Sequence, residues 1–172
     1  MARHGSDPLT NPEPLLRQVY AYAAYRVGGG PEAEDVLSDV LERALRYRSS
    51  YDASRGSPVA WLLGIARRVI AERAGKADTV AELPDQADPT DIERESLDRI
   101  SLQEAMARLP ERDRELLALR YGADLKASQI AAVLDMRVNA VEVALHRSLA
   151  RLRDVMSESH EPMVVDSVSA AG

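Results

Sequence analysis

The chain has 172 residues, with 22 Lys plus Arg against 28 Asp plus Glu, a net charge of −6, no cysteine, no phenylalanine and 45% apolar side chains. Without cysteine there is no disulfide framework, thiolate metal site or thiol nucleophile, and a reducing compartment is the simple reading. No apolar run approaches the roughly 20 residues that cross a bilayer, and residues 1–14 lack the apolar centre of a secretory signal, so a cytoplasmic location without membrane insertion is expected.

Few aromatics with abundant Ala, Leu and Arg favour helices over a sheet core. Residues 1–11 are expected to be disordered. After Pro14, Leu15, Leu16, Val19, Ala23 and Val27 recur at helical spacing until Gly28-Gly29-Gly30 stops the run, and Pro31 suits the first turn of a second helix. There Val36, Leu37, Val40, Leu41, Ala44 and Leu45 form an apolar stripe opposite Glu32, Asp35, Asp39, Glu42 and Arg46. Residues 47–56 read as a loop. Ser57 then serves as an N-cap with Pro58 at the first helical position, and Trp61, Leu62, Ile65, Val69 and Ile70 are periodic behind it. Residues 12–76 are thus the first expected helical domain, and 77–100 an acidic flexible linker in which periodicity resumes near Ile92. The second domain, 101–156, contains an apolar run through Leu102, Ala105, Met106 and Leu109, then a helix after Pro110 bearing Leu116, Leu117, Leu119 and Tyr121. A turn at 122–126, a short helix at 128–134, a tight turn Asp135-Met136-Arg137 and a long helix at 139–156 complete it. Residues 157–172 have no period and are expected to be a disordered tail. The fold class is all-α: two small helical domains joined by an acidic linker.

Charge is segregated along this plan. Residues 32–43 carry five acids (Glu32, Glu34, Asp35, Asp39, Glu42) against Arg43, and 77–100 carry eight acids against Arg94 and Arg99. Two stretches are basic: 55–76, with Arg55, Arg67, Arg68, Arg73 and Lys76 against Glu72, and 137–153, with Arg137, Arg147, Arg151 and Arg153 against Glu142. An acidic chain does not coat DNA by itself, but local nucleic-acid contacts remain available. The short helix, three-residue turn and longer basic helix of 127–153 match a helix-turn-helix. At about 100° per residue, Val141, Leu145, Ser148 and Leu152 share one side, with Ala144 at its edge, and would dock on Ile130, Ala131, Leu134 and Met136. Asn139, Val143, His146 and Ala150, flanked by Glu142, Arg147 and Arg153, share the other and would face a major groove. The plainer alternative is an amphipathic hairpin with a solvated basic face.

Across residues 12–156 the chain resembles the bacterial extracytoplasmic-function (ECF) sigma factors that carry the second and fourth sigma domains. Three stretches carry the resemblance: Ala33-Glu-Asp-Val-Leu-Ser-Asp-Val-Leu-Glu-Arg-Ala-Leu45, Trp61-Leu-Leu-Gly-Ile-Ala-Arg-Arg-Val69, and Leu109-Pro-Glu-Arg-Asp-Arg-Glu-Leu-Leu117 continuing to Leu145-His-Arg147. The resemblance implies that Asp35, Asp39, Glu42 and Arg43 bind the clamp helices of the largest subunit of RNA polymerase; read by itself, that acidic face suits either a basic partner or solvent. It implies minus-ten promoter contacts by Arg48, Tyr51, Arg55, Arg67 and Arg68, where an extruded base needs a pocket and the strand needs cations; Trp61 is either a stacking platform or core. It implies minus-thirty-five contacts by Arg137, Asn139, Glu142, Val143, His146, Arg147 and Arg151. Departures from the family pattern are Arg68 where many relatives carry Asn, the absence of loop phenylalanines, and Asn139-Ala-Val-Glu-Val-Ala144 where many read Gly-Thr-Val-Lys-Ser-Arg. The implied partners are core RNA polymerase, through its clamp helices and beta flap, promoter DNA, and an anti-sigma factor. The acidic linker is then either a spacer or a segment lying where nucleic acid otherwise goes.

No catalytic, cofactor or metal constellation is present in the sequence: His4, His146 and His160 are far apart, and Gly28-Gly29-Gly30 lacks the Lys-Ser/Thr of a phosphate loop. A non-enzymatic transcription initiation factor is expected. The alternatives are a stand-alone helix-turn-helix regulator of duplex operators and a helical interaction protein.

Overall fold

The computed structural model describes residues 7–77 and 94–159. Residues 1–6, most of the expected linker and the tail from 160 onwards lie outside the described residues. Seven α-helices follow in order among those described: α1 (Pro12–Val27), α2 (Pro31–Tyr47), α3 (Pro58–Ala77), α4 (Arg94–Ala107), α5 (Glu111–Leu117), α6 (Ala127–Leu134) and α7 (Val138–Ser159). A 3-10 turn, Arg48–Ser50, extends α2, and a π-helical turn, Ala118–Gly122, extends α5.

The ends follow from local chemistry. Gly28 takes φ 95° after α1, a region closed to most side chains. Ser57 Oγ accepts the Ala60 N–H at 3.3 Å to start α3, as its place before Pro58 predicts. At the start of α6, Gln129 Oε1 accepts the Lys126 N–H at 2.8 Å. Asp135 ends α6 in the left-handed conformation, φ 52°, which Asp tolerates better than most side chains. Two boundaries differ from expectation. Residues 94–100, assigned to the linker, form the first turns of α4. Helix α7 continues to Ser159, its last turn held by Arg108, which donates to Glu158 Oε2 at 3.0 Å and Ser159 Oγ at 3.3 Å.

Helices α1 to α3 pack side by side around Val19, Tyr22, Ala23, Val36, Val40, Ala44, Leu62, Leu63, Ala66 and Val69. Leu45 does not join them: it is 58% exposed. Each i to i+4 step drifts about 40° round a helix of 3.6 residues per turn, so two such steps from Leu37 carry Leu45 off the face that Val36, Val40 and Ala44 bury.

The same apolar cluster continues without a break into Leu116, Leu119, Ala123, Leu125, Ile130 and Val141 of the second half, so the two sequence blocks are packed on one another. A smaller cluster, Ala105, Met106, Leu109, Leu117 and Leu152, ties α4, α5 and α7 together. Helix α1 is the shared wall. The π-helical turn lies so close to it that a Cβ on Gly122 would stand 2.9 Å from Ala21 O, and Gln18 Nε2 donates to Ala123 O at 2.8 Å. Beneath α7, buried Asp113 accepts from Ser148 Oγ at 2.7 Å and from Arg151 Nη1 at 2.6 Å.

Two consequences can be measured. Asp113→Ala leaves Ser148 buried with one acceptor fewer and removes the polar tie between α5 and α7, and urea unfolding should register a loss of about 2–4 kcal/mol. Arg151→Ala, whose side chain is 56% exposed, should cost no more than about 1 kcal/mol. The second concerns Tyr22, whose phenol is pushed up by burial and then by the Glu115 carboxylate, with Arg26 opposing. The fold therefore favours the neutral phenol: that contribution is full below the ordinary tyrosine pKa of about 10 and is lost as pH rises above it. Stability should fall more steeply above that pH in the native chain than in Tyr22→Phe.

Candidate nucleic-acid and polymerase interface

Three surfaces hold the side chains singled out from the sequence. The first is the outer face of α2. Here the acids form an ion-pair ladder with α3: Asp39 Oδ2 accepts from Arg73 at 2.7 and 3.1 Å, and Arg43 makes two bonds to Glu72 at 3.0 and 2.6 Å. Glu42 pairs with Arg46 at 2.7 Å. The Glu72 hydrogen bond is the main cause that raises Arg43 above the usual arginine pKa, and the same bond holds Glu72 below the usual carboxylate range. Asp35 reaches Arg73 only at 4.0 Å. Glu32 and Glu34 are exposed with no side-chain partner among the described residues, so the unneutralised charge lies at the start of α2. At its other end, Leu45 and Tyr47 expose apolar surface that sequence reasoning assigned to the core or to a loop.

The second surface is the 48–57 loop with the start of α3. Asp52 Oδ1 accepts from Ser54 Oγ at 2.7 Å and Ser54 N at 2.9 Å. These bonds hold the Asp52 carboxyl below its ordinary range. Tyr51 donates to Gly56 O at 3.0 Å, and its ring tilts at 59° against Trp61 with centroids 5.6 Å apart. Trp61 is half-buried: it packs against the core cluster and also meets Tyr51. Arg48, Arg55 and Arg68 are exposed, with Arg55 acting on the Asp52 carboxylate and Arg68 on Glu72. Arg67 is not with them. It points to the other half of the chain, pairing through Nε with Glu115 Oε1 at 2.9 Å and donating through Nη1 to Val133 O at 3.2 Å.

The third surface is α7. Val141, Ser148 and Leu152 are buried, with Ala144 and Leu145 half-buried beside Leu134 and Met136, and Arg137, Asn139, Glu142, Val143, His146 and Arg147 are all exposed. A groove of about 520 Å³ runs beside that exposed side, with Asn139, Val143, Arg147, Arg151 and Arg112 in its wall. Arg151 is largely neutralised there by Asp113. Arg112 is exposed and has no ion pair or side-chain hydrogen bond among the described residues, and sequence reasoning missed it. It lies 35 positions before Arg147, and only the packing of α5 on α7 brings the two to one groove.

A further set of residues joins the halves. Glu115, 13% exposed, accepts from Tyr22 OH at 3.0 Å and from Arg26 Nη1 at 2.7 Å as well as pairing with Arg67. Arg26 also pairs with Glu111.

Comparison with known proteins bears on these surfaces. Residues 13–79 match the family described as Sigma-70 region 2, and residues 99–152 match Sigma-70, region 4. The chain is 30% identical over 149 residues to the ECF RNA polymerase sigma factor BldN of Streptomyces coelicolor, covering 81% of this chain and 56% of that one. It is 33% identical over 150 residues to SigD of Mycobacterium tuberculosis, covering 79% and 70%. The chain thus spans little more than half the length of BldN. Among solved structures, the sigma factor RpoE of Bartonella quintana, crystallised with the anti-sigma factor NepR, superposes with a TM-score of 0.66 at 21% identity over 83% of this chain and 92% of that one. CnrH, in complex with the cytosolic domain of CnrY, gives 0.59 at 20% identity over 85% and 82%; both likenesses are of fold. With both regions matched in order, and relatives at this identity over most of their length, the chain belongs to the ECF RNA polymerase sigma factors.

Proposed function

We propose that this chain binds core RNA polymerase through α2, engages the minus-ten element with the 48–57 loop and α3, and reads the minus-thirty-five element with α7, directing promoter opening and the start of transcription in the cytoplasm. The observation that carries this reading is the two-sided character of α7. One side is locked into the core, and Asn139, Glu142, Val143, His146 and Arg147 are exposed on the other, with Arg137 exposed in the turn before the helix. An Asn can take adenine edge-on, Glu142 can accept from cytosine, and the arginines serve guanine or phosphate. The tilted pair Tyr51 and Trp61 supplies a stacking wall for an unpaired strand, and the exposed Arg48, Arg55 and Arg68 of the same module supply cations.

On α2, Glu32, Glu34 and Asp35 provide the charge, Asp39, Glu42 and Arg43 the paired scaffold, and Leu45 with Tyr47 the apolar surface for the polymerase clamp. The beta flap of the polymerase would be met by the second module. The solved relatives were captured with anti-sigma partners, and two modules packed as one body offer such a partner a single surface to hold. No helix among the described residues is long and apolar enough to cross a membrane.

Run-off transcription by core polymerase tests the reading. A promoter-specific transcript should appear only when the chain is added; tight binding to duplex DNA alone, with no transcript, would place it among stand-alone regulators instead. Along the groove between α5 and α7, contacts separate by class. Arg112→Ala and Arg147→Ala should weaken holoenzyme binding across all promoter sequences and each reduce the salt slope by about 1. Asn139→Ala should relax base preference at one position, at about 1–3 kcal/mol, with the salt slope unchanged.

A further inference from the structure

Two large apolar side chains stand on the otherwise polar outer side of α7: Val138 is 40% exposed and Val143 51%. A lone exposed valine is ordinary, so its neighbours decide whether it has a use. Val138 opens the helix, about 140° round the axis from Val143, and takes no part in the groove wall. Val143 lines that groove, one helical turn after Asn139 and one before Arg147, with Ala140 and Ala144 beside it and Met136 and Leu116 continuing the apolar lining. The centre of the stripe is therefore a small apolar patch bracketed by an amide and a guanidinium.

That setting limits what can lie against it. Asn139 suits a base edge, and Arg147, with Arg112 in the same groove wall, suits the strand backbone. A helix held by those three side chains brings Val143 against the base edges between them. On the major-groove edge the other readable groups are hydrogen-bond donors and acceptors, and the 5-methyl group of thymine is the apolar one. A polar edge pressed on Val143 gives up water and gains no partner, whereas a methyl group gains contact. Four residues advance about 6 Å along the helix, which is less than two base steps of about 3.4 Å.

We propose that Val143 is a methyl reader, selecting a pyrimidine with a 5-methyl group within about two base pairs of the adenine taken by Asn139. The inference rests on the promoter reading proposed above for α7 and adds the chemical group that this helix selects. Thymine carries that methyl. A 5-methylcytosine carries the same group at the same place, next to an amino donor suited to the exposed Glu142.

Core polymerase with the full chain supplies the test. A promoter selected from a random duplex library by run-off transcription gives the minus-thirty-five sequence. Each thymine of that element is then replaced singly by uracil, which removes the methyl and nothing else, and each cytosine singly by 5-methylcytosine. With the native chain, one uracil replacement should weaken holoenzyme binding about fourfold, the worth of one buried methyl group. With Val143→Ala, thymine and uracil at that position should bind within about twofold of each other, with the salt slope unchanged. Alanine at an exposed helical position keeps the fold, which circular dichroism verifies. If no uracil replacement matters and one 5-methylcytosine strengthens binding by a similar factor, an effect lost in Val143→Ala, the methyl reader stands with methylated cytosine as its source. Equal binding of every modified duplex by the native chain, or methyl preferences that all survive Val143→Ala, overturn it while leaving transcription intact. A native chain that gives no run-off transcript fails the sigma-factor reading, and the methyl reader with it.

Discussion

Glu115 accepts from residues as far as 93 positions earlier in the chain, and the charged contacts between the two modules centre on it. Burying a carboxylate is costly unless it is fully paired, and this one is satisfied only when α1, α3 and α5 meet at one point. The requirement is nearly all-or-none. Shifting α5 along α1 would strand Glu115 and Arg26 without partners, so ionic geometry fixes the register that apolar contact alone leaves loose. The π-helical turn adds the steric half of the same constraint, since its wider winding places Gly122 against the α1 backbone, where a side chain has no room. Charge and bulk thus specify one relative placement, while contributing less adhesion than a wholly apolar interface of equal area.

Helices whose apolar side faces a single neighbour were legible in the sequence. In α7 the angular arithmetic separates buried Val141, Ser148 and Leu152 from exposed Asn139, Val143 and His146, and the structure has the same division. The turn at Asp135 and the cap at Ser57 were legible too, because each depends on one side chain and its own backbone. Helix α1 was harder. It is walled on two sides, by α2 and α3 and by the second module, so Tyr22 and Arg26 are buried beside Val19 and Ala23, and no single stripe of apolar residues reveals them. Leu45 was misassigned for a related reason: a stripe six residues long was read as straight when it winds.

The candidate site was legible as a list of residues and not as a set of partners. Sequence counts arginines; packing decides which remain available. Arg43, Arg67, Arg73 and Arg151 are held by carboxylates, whereas Arg48, Arg55, Arg68, Arg112, Arg137 and Arg147 are exposed with no ion pair or side-chain hydrogen bond among the described residues. These partnerships join residues about 30 to 50 positions apart, beyond the reach of any periodicity. The exposed cations thus fall in two sets, Arg48, Arg55 and Arg68 in the first module and Arg112, Arg137 and Arg147 in the second. Two small sets of cations on a net-acidic chain suit local nucleic-acid contacts rather than a coat along DNA.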